Sequence, residues 1–357
     1  MDGPAADLAE ARLRYVSDEA PGWSRRRAGK GFAYRGRDGR PLDADDIAWV
    51  RSLAIPPAWT EVWISPHRNG HILATGRDAR GRKQYRYHPR WREVRDCAKF
   101  ERMLAFGLAL PRIRRAVDER LGRRGLDRER ILALAVRLLE TTLIRVGNDA
   151  YARQNRSFGL TTLRRRHLSI EGGSLRFTFK GKGGKPHKVT VRSRRLTRLV
   201  ARLQELPGQE LFRYLDADGR AQPIDSTDVN AFLREISGGD FTAKDFRTFA
   251  ATVLAAWALQ ELEAFDSEAG AKRNVTAAIE RVAGRLGHTP AICRKSYVHP
   301  EIVGAYLAGD LLLNLKDVVE AKLAEDLAGL EPEEAAVLAF LQQRLKQAAE
   351  RSPAGAV

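Results

Sequence analysis

The chain has 357 residues, 43% of them hydrophobic, which is enough for two domains with real cores; no stretch is long and apolar enough to span a membrane. The net charge is +17, and five Lys/Arg against ten Asp/Glu in residues 301–357 leave +22 on residues 1–300. Such an excess suits a polyanion, most commonly nucleic acid, although a GC-rich genome alone also enriches arginine. The first residues, Met1 to Ala11, include acidic groups and no apolar run, unlike a secretory leader. Cys97 and Cys293 are far apart and neither has a CxxC partner, so reduced thiols in the cytoplasm are expected.

Short strands are expected at Gly31–Tyr34 and at Pro41–Leu42 after an Asp38-Gly39 turn, then at Glu61–Ser65, Gly70–Thr75 and Gln84–His88. A helix capped by Asp43 runs between them to Leu53. This is a small, mostly antiparallel sheet. Its last strand, K-Q-Y-R-Y-H, alternates basic and aromatic residues, with Tyr85 and Tyr87 on one face. That face either packs inward or forms an exposed ribbon suited to a nucleic-acid groove.

After Trp91 the pattern turns helical. Amphipathic helices are expected over Ala98–Ala109, Pro111–Leu121 and Arg128–Val146, the last closed by Gly147. Arg145 would then face the negative end of that helix. Three short strands follow, Ser169–Ile170, Ser174–Lys180 and His187–Arg192. The turn between the last two, G-K-G-G-K-P, carries Lys182 and Lys185. It precedes neither a Lys-Ser/Thr pair nor a helix, so it is not a nucleotide-binding P-loop. It is either an ordinary basic turn or a tip that inserts a cation into a groove. Helices resume over Ser193–Glu205, from Asp225 or Ser226 to Ile236, over Phe241–Gln260 and over Ala271–Arg285. Thr242 caps the third of these, with Asp245 reaching back. Arg247, near its start, opposes the helix dipole unless a buried phosphate attracts both. Thr289-Pro290 opens a short helix, placing Tyr297 near its end with His288 just ahead and Arg294 and Lys295 beside it. A tyrosine hydroxyl ionises near pH 10, so it is a poor nucleophile unless cations surround it; otherwise its ring packs and its hydroxyl bonds. The acidic stretch from Ala308 to Glu350 reads as mostly helix.

Taken in order, R-V-G-N with Tyr151 behind it, N-x-S-F-G-L-T-T-L, F-K-G-K-G-G-K-P-H, K-D-F-R-T-F and L-G-H-T-P…S-Y-V-H-P resemble the type IB DNA topoisomerases. The small branch of bacteria and large DNA viruses is the most similar, and G-R-D-A-R-G-R-K-Q-Y-R-Y-H extends the likeness into the N-terminal region. The resemblance implies an α+β chain of two domains. Residues 1–95 would be a small, mainly antiparallel β-sheet DNA clamp. Residues 96–357 would be a larger, mainly helical catalytic domain of the topoisomerase IB/tyrosine recombinase type with a small β-hairpin element. Its acidic helical tail would span about 308–350.

The implied reaction is transient single-strand cleavage by Tyr297 through a 3′-phosphotyrosine, strand swivelling and resealing. Arg145, Arg247 and His288 would hold the phosphate, and Lys182, chosen over Lys180 and Lys185 by the motif, would protonate the leaving 5′ oxygen. Implied DNA contacts are Arg82, Lys83, Gln84, Tyr85, Tyr87, Tyr151, Asn155, Ser157, Thr161, Thr162, Lys185 and Lys244. No metal, ATP or other cofactor is required. Double-stranded DNA is the partner, a monomer suffices, and the cytoplasmic nucleoid is the expected location. A tyrosine recombinase would share the helical fold but usually carries H-x-x-R where this chain has Lys244 and Arg247. A non-catalytic DNA-binding protein would have no need of the full residue set.

Overall fold

The structure, a computed structural model, describes residues 8–9, 11–262, 265–311 and 329–351. Most of Met1 to Ala11, the Cys97 side chain and residues 312–328 of the acidic tail lie outside that description. Two units divide the chain, Met1–Glu101 and Arg102–Val357. Among the described residues no helix is long and apolar enough to cross a membrane.

The first unit is a five-stranded antiparallel sheet, ordered β2-β1-β3-β4-β5, from β1 (Trp23–Ala28), β2 (Gly31–Arg35), β3 (Thr60–Ile64), β4 (Ile72–Arg77) and β5 (Lys83–Tyr87). Helix α1 (Ala44–Ser52) starts where Asp43 accepts the Asp46 N–H and closes at Leu53. Val50 and Leu53 pack on Val62, Ile64, Leu73 and Ala74, with Trp23 and Trp49 at the margin. Strand β1 was not anticipated, because W-S-R-R-R-A shows no apolar alternation. Its inward residue is an arginine: Arg25 is 9% exposed and spends its donors on the carbonyls of Ile55, Pro56 and Trp59. Pro41–Leu42 amounts to one bridge, Arg35 to Pro41. On β5 the tyrosine face is the open one. Tyr85 is 40% exposed and its ring lies parallel to that of Tyr87 at 5.7 Å. Arg86 takes the opposite face, donating to the Leu53 and Ala54 carbonyls at the end of α1.

The second unit is mainly helical. Helix α2 (Pro89–Gly122), which lies in this unit from Arg102 onward, runs unbroken through Pro111, where two helices were expected. Met103, Phe106, Leu110, Ile113 and Val117 are all buried and continue one apolar stripe across the proline, so packing outweighs the lost hydrogen bond. Next come α3 (Arg128–Thr142), the unforeseen α4 (Asp149–Asn155) and the antiparallel sheet β6 (Leu168–Glu171), β7 (Ser174–Lys180) and β8 (Pro186–Arg192). After α5 (Arg194–Glu205) comes a hairpin of β9 (Arg213–Leu215) and β10 (Ala221–Pro223). Helices α6 (Ser226–Ser237), α7 (Ala243–Gln260), α8 (Glu268–Leu286), α9 (Pro290–Ser296), α10 (Pro300–Leu307) and α11 (Pro332–Arg351) complete the unit. The central helix is α7, against which α3, α6, α8, α10 and α11 all pack. Phe106 meets Phe241, Phe246 and Phe249 edge-on at its start. Helix α11 is pinned by Arg114, which reaches both oxygens of Glu334 at 2.8 Å and Glu140 at 2.6 Å.

Candidate active site

The segment bearing Arg145 is not helical. Helix α3 stops at Thr142, four residues short of the expected end, and Leu143 rather than Gly147 takes the left-handed cap conformation, with φ 55°. The carbonyls beyond it find partners in the motif F-G-L-T-T instead of in another helical turn. Leu160 N–H donates to the Arg145 carbonyl at 2.8 Å, and Thr161 donates to Val146 through N–H at 2.7 Å and hydroxyl at 3.0 Å. Gly159 makes this approach possible: a Cβ there would lie 2.5 Å from Gly147 Cα and 2.6 Å from the Arg145 oxygen. Thr161 and Thr162 are therefore buried, 3% and 5% exposed, and shape the arginine loop rather than offering hydroxyls outward.

Arg247 sits in the first turns of α7. Its nearest carboxylate in sequence, Asp245, is engaged elsewhere: it accepts the Thr242 N–H at 2.7 Å and pairs with Arg102 at 3.0 Å. Arg247 is 3% exposed and donates to the Leu143 carbonyl, to the Leu286 carbonyl at 2.7 Å and to His288 Nε2 at 2.9 Å. Those carbonyls are the C-terminal ends of α3 and α8. A cation that opposes its own helix dipole thus faces the negative ends of two others. Its Nε is buried with no partner among the described residues.

His288 follows Gly287, which caps α8 at φ 66°. Helix α9 opens as the sequence predicts, with Thr289 accepting the Ile292 N–H and Pro290 in the first turn. Tyr297 is its C-cap. Thr252 of α7, which the sequence reading passed over, holds that end: its hydroxyl donates to the Tyr297 carbonyl at 3.2 Å and accepts the His299 N–H at 3.1 Å. The His288 and Tyr297 rings lie 4.3 Å apart, the Arg247 guanidinium is 5.7 Å from the Tyr297 ring, and an Arg145 N–H group reaches His288 at 3.2 Å.

Four of the five predicted catalytic residues therefore converge. Among the described residues no carboxylate pairs with Arg145 or Arg247. Burial, then Arg145, lowers the Arg247 pKa to about 10. Burial also lowers that of Arg145, with Tyr297 opposing. Burial, then Arg145 and Arg247, drives His288 down to about 3, so its imidazole is neutral at pH 7. Cys293, buried nearby, has its thiol pushed up to about 11 by burial and is an inert packing group.

Lys182 and Lys185 are exposed at the tip of the β7–β8 hairpin, where both add to the positive potential felt by His288. An open cleft of about 560 Å³ between Lys185, His187, Thr142 and His288 connects tip and site. Of the other predicted contacts in this unit, Tyr151, Asn155 and Lys244 are exposed and Ser157 is half-buried. In the first unit, Arg82 and Gln84 bond Asp78, and Lys83 pairs with Asp18 at 2.6 Å.

Residues 88–308 match the family described as eukaryotic DNA topoisomerase I, catalytic core, and residues 31–78 match bacterial DNA topoisomerase IB, N-terminal domain. DNA topoisomerase 1B of Acanthamoeba polyphaga mimivirus is 33% identical over 282 residues, covering 77% of this chain and 84% of that protein. DNA topoisomerase 1B of vaccinia virus (strain Copenhagen) is 21% identical over 271 residues, covering 74% of this chain and 83% of its own. Among solved structures, the XerH site-specific recombinase bound to difH substrate aligns at 15% identity over 54% of this chain and 49% of that chain. Its TM-score is 0.33, too loose a likeness to weigh beside the sequence matches. Matched over most of its length, the chain belongs to the small bacterial and viral branch of the type IB DNA topoisomerases, isomerases that act on DNA.

Proposed function

We propose that this chain relaxes supercoiled DNA through a covalent 3′-phosphotyrosine at Tyr297. The observation that carries the reading is the pair of guanidiniums, Arg247 buried and Arg145 half-buried, held beside the Tyr297 ring with no carboxylate among the described residues to neutralise them. Buried cations without counter-ions are costly, and a phosphodiester entering between them and the tyrosine would supply the missing charge. The Tyr297 hydroxyl loses its proton to solvent and its oxygen attacks phosphorus in line. The bond to the 5′ oxygen breaks as Lys182 donates a proton to it, leaving a 5′ hydroxyl. Arg145 and Arg247 grip the non-bridging oxygens as negative charge grows on them, and neutral His288 donates a third hydrogen bond. Attack by the 5′ hydroxyl on the phosphotyrosine reverses every step. One phosphodiester replaces another, so resealing draws on no ATP, and the cations do the work a metal ion would otherwise do.

Tyr85 and Tyr87, as an open aromatic face flanked by Lys83, suit the N-terminal region to a role in gripping the duplex. A complete set of catalytic groups lies in one chain, so a monomer suffices, acting on DNA in the nucleoid. The test is relaxation of negatively supercoiled plasmid in EDTA without ATP, beside a Tyr297→Phe variant. Relaxation by the wild type alone is expected. Relaxation by both proteins would assign the activity to another nucleophile, and relaxation by neither, with duplex binding intact, would remove the enzymatic reading.

A further inference from the structure

His187 belongs to the motif that carries the hairpin lysines, yet nothing in the reaction above uses it. It stands opposite Phe179 across β7 and β8, and the two rings stack at 5.1 Å with 7° between their planes. Phe179 leads to His167, and His167 to Phe158 at 4.4 Å. The Phe158 N–H donates to the Lys180 carbonyl at 2.8 Å, so this row of rings fixes the base of the hairpin next to Gly159 and the Arg145 loop.

The far edge of the His187 ring touches two glycines. A Cβ on Gly181 would lie 2.5 Å from its Cδ2, and one on Gly287 would lie 2.5 Å from its Cε1. Gly181 immediately precedes Lys182, and Gly287 immediately precedes His288. The imidazole therefore fills the space between the hairpin tip and the cap of α8. Burial, then Arg145, Arg247 and Lys185, lowers its pKa, so it enters this cationic neighbourhood as an uncharged ring.

We propose that His187 is a positioning residue for the proton donor: its ring is the spacer that sets where Lys182 stands relative to His288 and the scissile phosphate. This rests on the reading of Lys182 as general acid. In the step concerned, the bond from Tyr297 oxygen to phosphorus forms, the bond to the 5′ oxygen breaks, and a proton passes from the Lys182 ammonium to that oxygen. A group that only places the proton donor becomes dispensable when the leaving group needs no proton.

The experiment is single-turnover cleavage by His187→Ala and Lys182→Ala on two duplexes. One carries the natural bridging 5′ oxygen and the other sulfur, which departs as a thiolate without protonation. A displacement of about 1 Å costs about 10²-fold, so His187→Ala should cleave the oxygen substrate about 10²-fold more slowly. It should return to within a few-fold of wild type on the sulfur substrate, as should Lys182→Ala. Wild-type cleavage of the oxygen substrate by His187→Ala would overturn the proposal. So would equal slowing on both substrates, or loss of duplex affinity in a Tyr297→Phe background, since each would make His187 a residue of the fold or of the tyrosine pocket. Rescue of His187→Ala without rescue of Lys182→Ala would assign the proton to another hairpin group. That result would overturn the proposal as stated for Lys182.

The coupling between ring and glycine gives a second readout. Gly181 has φ −90°, which any residue adopts, so Gly181→Ala is opposed only by the His187 ring. Gly181→Ala should slow the oxygen substrate, and the double variant with His187→Ala should be no slower than His187→Ala alone. Additive losses would refute the spacer.

Discussion

Gly159→Ala isolates the backbone contact that places Arg145. Gly159 has φ −136° and ψ −178°, so alanine is permitted there and only space is lacking. The new Cβ would lie 2.5 Å from Gly147 Cα and N and 2.6 Å from the Arg145 oxygen, against ordinary contact from 3.4 Å, so the two strands of loop must part by about 0.9 Å. Every one of those atoms is backbone, and none can swing aside as a side chain would. A shift of about 1 Å at a group that holds the transition state costs about 10²-fold in rate. Overpacking costs the fold about 1–3 kcal/mol. Single-turnover cleavage of a duplex whose short downstream fragment, released with the 5′ hydroxyl, dissociates should show the rate loss. Duplex affinity in a Tyr297→Phe background should change little, because the phosphate contacts outside the pocket are untouched. Cleavage within three-fold of wild type would mean that the loop absorbs a methyl group and that Arg145 is not held by this approach.

Three further outcomes are expected. Arg247→Lys keeps the charge, but one ammonium cannot span the Leu143 and Leu286 carbonyls and His288 together. Cleavage should fall by about 10²–10³-fold, the urea midpoint should fall as well, and a wild-type midpoint would show that the two helix ends do not depend on the guanidinium. His288 has a folded pKa of about 3 against 6.5 for the free imidazole, so the unfolded chain binds the extra proton first. Stability from keeping it neutral is whole above about pH 6.5 and is lost as pH falls toward 3. The wild type should therefore lose unfolding free energy relative to His288→Asn across that window, whereas parallel curves would refute the assignment. Arg114→Met should leave Glu334 without a cation and Glu140 with only Arg137 at 3.7 Å, destabilising the fold by about 3 kcal/mol, read as a lowered Tm; an unchanged Tm would mean that α11 is held by its apolar face alone.

What could be read from the sequence was what is local in physical origin. Asp43, Ser193, Asp225 and Thr289 each accept the N–H that their position before a helix predicts, because a cap needs only residues a few places away. The β7–β8 hairpin and the α9 helix bearing Tyr297 were legible for the same reason. Illegible features depend on distant partners. Leu143 ends α3 because Arg247, about a hundred residues later, takes its carbonyl and because Gly159 admits the following loop. Strand β1 hides its inward residue as an arginine whose donors meet carbonyls in another segment. Pro111 sits inside α2 because an apolar stripe on either side outweighs one missing hydrogen bond. Thr252 carried no motif signal, yet its hydroxyl joins α7 to the backbone on either side of Val298.

The site and the fold share one residue at their centre. Arg247 satisfies the carbonyl ends of α3 and α8 and touches His288, so the guanidinium that would meet the phosphate is also the fastening between three segments. This is how a cation can be kept desolvated without a carboxylate: helix ends supply partial negative charge enough to hold it, but too little to neutralise it. A carboxylate in the same place would stabilise the empty pocket more and would then compete with the incoming phosphate for the same donors. The neighbouring acid is accordingly turned away, with Asp245 occupied by Thr242 and Arg102 on the far side of the first turn. Among the described residues the buried Nε of Arg247 is left without a partner. The unusual place of Arg247 at the start of a helix is thus a consequence of the carbonyls it faces across the pocket, and the positive surplus of residues 1–300 suits a DNA substrate at longer range.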